Sequence, residues 1–436
     1  MHGCPLPWGY RVPVRTPARW FQRRGFLLGA LAVLLGRMLA GGTASAVTCT
    51  FDPNTGTVGI GVADGETAEI SRADAAITLN GTACDVATIT NTDTIHVEAV
   101  GTPLEISIDL SNGDFAPGLT PDPGDSPEIE FTMNLPAGTP TLRVVGGAGD
   151  DHIAYGTGGI NLNAAEDPGD ADVTFTGTPA VVLEGNAGDD LLSVAGSDGT
   201  GASTLGTLEG GDGSDVHLGG TGGSTFDGGP GTDTVDYAAG TQLTFASLTT
   251  GIVNHGGGGV DELLGLENLF GSPGADAING NAETNELRGG PGDDVVVGAG
   301  GDDTLAGGDG IDTLAFGAVE DGVQVDLRSG TSLGEGTDSL SGFENVIGTS
   351  KADTIDADHG PSLVVGGPGS DEIFGHDGTD VLQGGPGNDQ LFGGKGSDAL
   401  NAGPGRDQLD GGQGDDACRG GPDPDAFVFC EKIKLG

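Results

Sequence analysis

Aspartate recurs at strict nine-residue intervals near the C-terminus, at Asp371, Asp380, Asp389, Asp398, Asp407 and Asp416. From Gly366 the chain reads GGPGSDEIF, GHDGTDVLQ, GGPGNDQLF, GGKGSDALN, AGPGRDQLD and GGQGDDACR. The template is G-G-x-G-x-D-x-U-x, with U apolar. Its glycines can take positive φ and let backbone carbonyls crowd inward. The x-U-x that follows predicts a short strand with its central side chain in a core. Two units would complete a rung, and rungs stacked about 4.8 Å apart would set equivalent loops above one another. Carboxylates then meet carbonyls in an all-oxygen cage, a donor set that suits a hard divalent cation such as Ca²⁺.

The same template recurs upstream. A first, interrupted block carries Asp151, Asp190, Asp215 and Asp233, with Ser224 in one aspartate position. A second carries Asp276, Asp294, Asp303 and Asp312, with Asn285 in one. The third carries Asp353, then Ser362, then Asp371 through Asp416, and finally Asp425, where Asp423 replaces a glycine. These sixteen aspartates are the candidate metal ligands, multiple Ca²⁺ ions being the expected cofactor. The serines and Asn285 are expected to mark weak or empty sites, and the first block, with its 25-residue gap from Asp190 to Asp215, to hold weaker ones. For any single aspartate the competing reading is a solvated turn carboxylate.

The elements that must position these loops are all β. Residues 1–46 read as an export segment: Arg11, Arg15, Arg19, Arg23 and Arg24 precede the apolar run Gly25–Gly36, and Ala44-Ser45-Ala46 offers small residues for cleavage. Arg23-Arg24-Gly25-Phe26-Leu27 also resembles a twin-arginine signal. The apolar run has 12 residues, too short to span a bilayer, so no transmembrane anchor is expected in the mature chain. Residues 47–145 alternate apolar and polar, as in Val58-Gly59-Ile60-Gly61-Val62, and read either as a small β-sandwich or as irregular first coils of a solenoid. Turns are expected at Asn112-Gly113 and around Pro121–Asp125. Calcium repeats follow at 146–235, 271–315 and 348–429, with longer coils inserted at 236–270 and 316–347 and a tail at 430–436. The insertions end alike, in Gly265-Leu266-Glu267-Asn268-Leu269-Phe270 and Gly342-Phe343-Glu344-Asn345-Val346-Ile347, and repeat at 77 residues from Glu267 to Glu344.

Composition excludes several classes. The chain has 87 Gly in 436 residues and 65 acidic against 16 basic side chains, a formal charge of −49. Cleavage after Ala46 would leave 10 basic residues and a charge of −55. No basic patch exists to meet phosphates, so nucleic acid is not an expected partner. Prolines lack the G-X-Y period of collagen. Of the mature cysteines, nearest pairing gives Cys49–Cys84 and Cys418–Cys430, one of three connectivities; free thiols or a zinc site are the alternatives. Lys395 and Arg406 read as solvent-facing charge relief.

The repeat units resemble the nonapeptide repeats of the RTX, or haemolysin-type, calcium-binding family; GGPGNDQLF at 384–392 fits at every position. The resemblance implies an all-β fold, a right-handed parallel β-roll or β-helix solenoid with calcium in the glycine-rich turns. It implies that Asp371, Asp380, Asp389, Asp398, Asp407 and Asp416 bridge to loop carbonyls. Many such proteins pair the repeats with a toxin, protease or lipase domain and leave by a dedicated exporter. This chain departs from both habits, and its ending, Cys418-Arg419-Gly420-Gly421 with Phe429-Cys430-Glu431, looks like that of repeat-only secreted proteins from high-GC bacteria.

No H-E-x-x-H string is present, and the one G-x-S-x-G string, Gly330-Thr331-Ser332-Leu333-Gly334, is followed by no helical pattern that would make it a nucleophile elbow. His96, His152, His217, His255, His359 and His376 are scattered; His152, His217 and His376 fall inside repeat units and read as surface residues. The expected role is thus a secreted, calcium-binding structural or surface-adhesive protein that folds on calcium and is not an enzyme. Its partners would lie in the cell envelope, the matrix or another protein. The alternative is an extracellular lyase or hydrolase acting on polysaccharide. Against it, the mature chain has no Trp and only Tyr155, Tyr237 and scattered Phe to stack on sugars.

Overall fold

A computed structural model describes residues 47–434, apart from 101–102, 113–128, 136–139, 157–158, 163–170, 196–205, 221–222, 241–242 and 318–320. The export segment and the turns at Asn112-Gly113 and Pro121–Asp125 thus fall wholly or partly outside the described residues. Those residues form 41 strands and no helix.

Each nine-residue unit supplies one strand, and successive units go to opposite sheets. Glu372–Asp377, Gln390–Lys395, Gln408–Gln413 and Ala426–Val428 lie parallel in the first sheet, with Ile373, Leu391, Leu409 and Phe427 in register. Leu363–Val365, Val381–Gln383, Ala399–Asn401, Ala417–Arg419 and Lys432–Lys434 do the same in the second, with Val364, Leu382, Leu400, Cys418 and Ile433 in register. The step is 18 residues, so two units make one rung. Ile373, Leu382, Leu391, Leu400 and Leu409 are at most 1% exposed, which puts the apolar position of the template between the sheets.

Residues 47–145 share both sheets with the repeats. In the first sheet Thr57–Val62, Thr94–Ala99, Glu130–Asn134 and Val173–Thr176 run parallel in that order. In the second, Thr67–Ala73, Glu105–Asp109, Thr141–Val145 and Ala180–Ala187 do so. These strands are longer and bring two or three residues inward each, such as Val58, Ile60 and Val62, all fully buried. The core is therefore wider here than under the repeats. Val47–Asp52 lies antiparallel on Thr57–Val62 at the head of the first sheet. Disulfides sit near both ends: Cys49–Cys84, with Cα atoms 5.5 Å apart, and Cys418–Cys430, at 5.9 Å.

The two insertions are not plain long coils. In the first, Leu243–Ser247, Ile252–His255 and Val260–Leu264 form an antiparallel meander. Its outer strands continue the parallel second sheet, onto Ala277–Asn279 and Thr225–Asp227. The first sheet meanwhile steps directly from Thr234–Asp236 to Asn268–Phe270. The second insertion mirrors this. Gln324–Asp326, Thr331–Leu333 and Thr337–Ser341 widen the first sheet, while Thr313–Ala315 pairs directly with Asn345–Ile347 in the second. Tight turns at Gly251 (φ 66°) and Gly330 (φ 70°) reverse the chain where sequence period alone suggests a through-going coil.

Two histidines correct the sequence reading. His217 is fully buried, not a surface residue, because in GGDGSDVHL it occupies the apolar position. Its ring stacks on Phe226 at 5.8 Å, both ring nitrogens lack partners, and burial pushes its pKa down to about 4. His376 takes the place of the second glycine, at φ 69°, and is held half-buried by Asp356, 2.9 Å from Nε2. Replacing His217 with Leu should raise stability by about 2 kcal/mol, since two unpartnered buried polar atoms are lost. Thermal melting in calcium tests this, and an unchanged or lower midpoint would refute it.

The outer face of the second sheet is uncharged over seven strands. From Ala277–Asn279 to Ala399–Asn401 the outward residues are Ala, Val, Leu, Ile, Thr, Asn and Gln only. Val295, Ile347, Leu363 and Val381 are exposed there. The facing side of the first sheet carries Glu286, Arg288, Asp356, Glu372 and Asp410 outward at comparable rungs.

Candidate metal centre

The stacked rungs bring the template aspartates into two columns, one at each edge. Within a column each carboxylate Oδ1 accepts the backbone N–H of the equivalent residue one rung back. Asp371 N donates to Asp389 Oδ1 (3.0 Å), Asp389 N to Asp407 Oδ1 (2.9 Å) and Asp407 N to Asp425 Oδ1 (3.1 Å). At the other edge Asp380 N donates to Asp398 Oδ1 and Asp398 N to Asp416 Oδ1, both 2.9 Å. The interrupted first block keeps the same ladder: Asp151 N to Asp190 Oδ1 (2.7 Å), Asp190 N to Asp215 Oδ1 and Asp215 N to Asp233 Oδ1 (both 2.8 Å). The 25-residue gap changes the chain length between rungs and leaves the column continuous.

The second oxygen decides the chemistry. In twelve aspartates, Asp190, Asp215, Asp233, Asp294, Asp303, Asp312, Asp371, Asp380, Asp389, Asp398, Asp407 and Asp416, Oδ2 is buried without a hydrogen-bond partner. Backbone carbonyls line the same space. A methyl group placed on Gly375 would lie 2.5 Å from Asp380 Oδ2 and 2.7 Å from the Gly393 oxygen. Only a very small residue fits at that template position, Gly in most units and Ala at Ala357 and Ala402, and oxygen surrounds it. Burial drives the Asp371 pKa up to about 7, and those of Asp190, Asp233, Asp294, Asp303, Asp312, Asp380 and Asp389 to about 6. A buried anion without a partner is costly, and a cation is the natural remedy.

The other four aspartates are different. Asp276 accepts from Ser272 N (2.6 Å) and Ser272 Oγ, and Asp353 from Thr349 N (2.7 Å) and Thr349 Oγ1. Asp425 Oδ2 accepts from Gly421 N (2.9 Å), and Asp151 Oδ2 from Gly147 N (2.5 Å). Loop donors here take the oxygen that is orphaned elsewhere. At Asn285 the amide does the equivalent, Nδ2 donating to the Glu267 carbonyl at 2.8 Å. Ser224 donates its N–H to Asp261 Oδ1 (2.6 Å), and Ser362 to Asp380 Oδ1 (2.9 Å).

Sequence reasoning missed five ladder carboxylates that lie outside the template. Asp261 and Asp338 come from the inserted meanders. Asp261 Oδ2 is capped by Tyr237 Oη (2.8 Å) and His255 Nε2 (2.7 Å), all three side chains being buried. Asp338 accepts from Asp303 N (3.1 Å) through Oδ1 and from Ser332 Oγ (2.5 Å) through Oδ2. Glu267, Glu344 and Glu431 accept from Asp233 N (2.8 Å), Asp312 N (2.8 Å) and Asp416 N (2.9 Å). The shared GLEN and GFEN endings were the available signal.

A family model, the RTX calcium-binding nonapeptide repeat, matches residues 209–241, 264–295, 279–314, 365–400 and 392–426. The segments 209–241, 264–314 and 365–426 are RTX repeats. No curated protein matches the chain. RTX repeats are structural, calcium-holding units, and the donor set fits that ion: carbonyls with one carboxylate per loop. Among the described residues no group of three or more His, Cys, Asp or Glu side chains converges to hold a metal ion, and the loops instead offer one carboxylate each beside backbone carbonyls. No helix among them is long and apolar enough to cross a membrane.

Proposed function

We propose that the chain is a secreted structural or surface-adhesive protein whose RTX roll is completed by calcium. The observation that carries this is the set of twelve buried, unpartnered carboxylate oxygens beside glycine carbonyls. Calcium would supply positive charge and accept six to eight oxygens, with Asp190, Asp215, Asp233, Asp294, Asp303, Asp312, Asp371, Asp380, Asp389, Asp398, Asp407 and Asp416 as principal ligands. Asp151, Asp276, Asp353 and Asp425 would be weaker ones, because loop donors already engage them. Two disulfides favour an oxidising compartment. The uncharged face from Ala277 to Asn401, on a chain with a formal charge of −49, supports contact with an uncharged surface of the envelope, the matrix or a partner protein. Residues 47–145 would serve as the first coils of that body, since their strands pair with those that follow.

The test is D371N/D389N/D407N in the full chain. Asparagine keeps the acceptor for the ladder N–H and, as at Asn285, can donate to a carbonyl, so the variant isolates the loss of charge. Equilibrium dialysis should find about three fewer calcium ions bound per chain. An unchanged stoichiometry would remove these residues from the ligand set.

A further inference from the structure

Glu267, Glu344 and Glu431 stand outside the nonapeptide template, yet they occupy one and the same structural position. Each is the third residue of a short turn that opens on a left-handed residue: Gly265 (φ 58°), Gly342 (φ 66°) and Phe429 (φ 48°). The middle residue, Leu266, Phe343 or Cys430, packs against the core or is tied to Cys418. A regular loop spends five positions between its first glycine and its aspartate, as from Gly384 to Asp389; these turns spend two. The side chain is one methylene longer, and it reaches the same N–H.

The carbonyl environment is also retained. The oxygens of Gly265, Gly342 and Phe429 approach Gly228, Gly307 and Gly411 together with Oδ2 of Asp233, Asp312 and Asp416. The Gly393 oxygen and Asp380 Oδ2 approach Gly375 in the same way. Asp233, Asp312 and Asp416 are fully buried, and the Oδ2 atom of each has no partner. The two aspartates contributed by the meanders, Asp261 and Asp338, have side-chain donors on Oδ2. Among the described residues no hydroxyl or imidazole reaches the three glutamates, so their charge is not offset in that way.

We propose that Glu267, Glu344 and Glu431 are calcium ligands, each completing the last site of an aspartate column with Asp233, Asp312 or Asp416. The turn φ-positive residue, apolar residue, glutamate is thus a terminating half-site. It closes the cation cage where the nonapeptide run stops, with three residues in place of six. This rests on the calcium reading above.

The experiment is calcium binding by the full chain and its E267Q/E344Q/E431Q variant, with far-UV circular dichroism on the same samples. Glutamine keeps the acceptor for the aspartate N–H and removes only the charge. Three fewer bound ions with an unchanged spectrum is the expected result. Full stoichiometry in the variant would overturn the proposal, leaving the glutamates as ladder acceptors. Should the triple variant fail to fold in calcium, E431Q alone decides, since among the described residues no coil stacks on that turn: loss of one ion supports the half-site, and no loss overturns it. If the wild-type chain binds no calcium, the calcium reading itself fails, and D371N/D389N/D407N will likewise show no difference.

Discussion

Chelating calcium is expected to abolish amide protection across residues 348–429 while leaving the strands Thr57–Val62, Thr94–Ala99, Glu105–Asp109 and Thr141–Val145 protected. Two terms set the contrast. In the repeats each strand buries a single apolar side chain, such as Ile373 or Leu391, worth about 1.5–3 kcal/mol. Ordering the nine residues of that unit costs roughly 1–2 kcal/mol each before hydrogen bonding offsets it. The block also buries six carboxylate oxygens without partners, in Asp371, Asp380, Asp389, Asp398, Asp407 and Asp416. The first coils bury two or three apolar residues per strand, hold none of the template aspartates, and are tied by Cys49–Cys84. Metal binding and folding are then one process in the repeats and separate in the first coils. Hydrogen exchange followed by mass spectrometry resolves the two segments. Equal protection of 348–429 with and without calcium would show that the roll stands without the ion.

Acidifying the metal-free chain should restore part of the structure that chelation removes. The sign follows from linkage. Burial raises the pKa of Asp371 to about 7 and of Asp190, Asp233, Asp294, Asp303, Asp312, Asp380 and Asp389 to about 6, from an ordinary value of 3.8. The folded state therefore holds protons that the unfolded state releases, and stability falls as pH rises from about 4 to about 7. His217 opposes this: burial lowers its pKa from 6.5 to about 4, so it withdraws stability as pH falls through that window. One imidazole stands against eight carboxylates, and the carboxylates win. In chelator, β content by circular dichroism should be greater at pH 5 than at pH 8. With calcium present the trend should reverse, because protons compete for the same oxygens. A metal-free chain that steadily loses structure from pH 8 to pH 5 would contradict the carboxylate account.

What the sequence determined by itself is local. Nine-residue spacing, glycines before each aspartate and an apolar residue two positions after it were enough for the strand, the loop and the ion-type donor set. They sufficed because each acts within one unit and the next. The same logic paired the cysteines by proximity in the chain. Tertiary structure decided everything that depends on which rung lies beside which. Ser272 and Thr349 satisfy Asp276 and Asp353 within one unit, but only stacking shows that Asp371 Oδ2 is buried beside the Gly384 carbonyl of the next rung with no donor. His217 was misplaced because an imidazole reads as a polar side chain, yet its template position is the apolar one and the sheets bury whatever stands there. Asp261 reaches its column from a meander strand, and Glu267 from a shortened turn, neither of which preserves the period. Spacing encodes geometry only while the chain between two sites has constant length. Where that length changes, the hydrogen-bonded register of the sheets carries the columns onward.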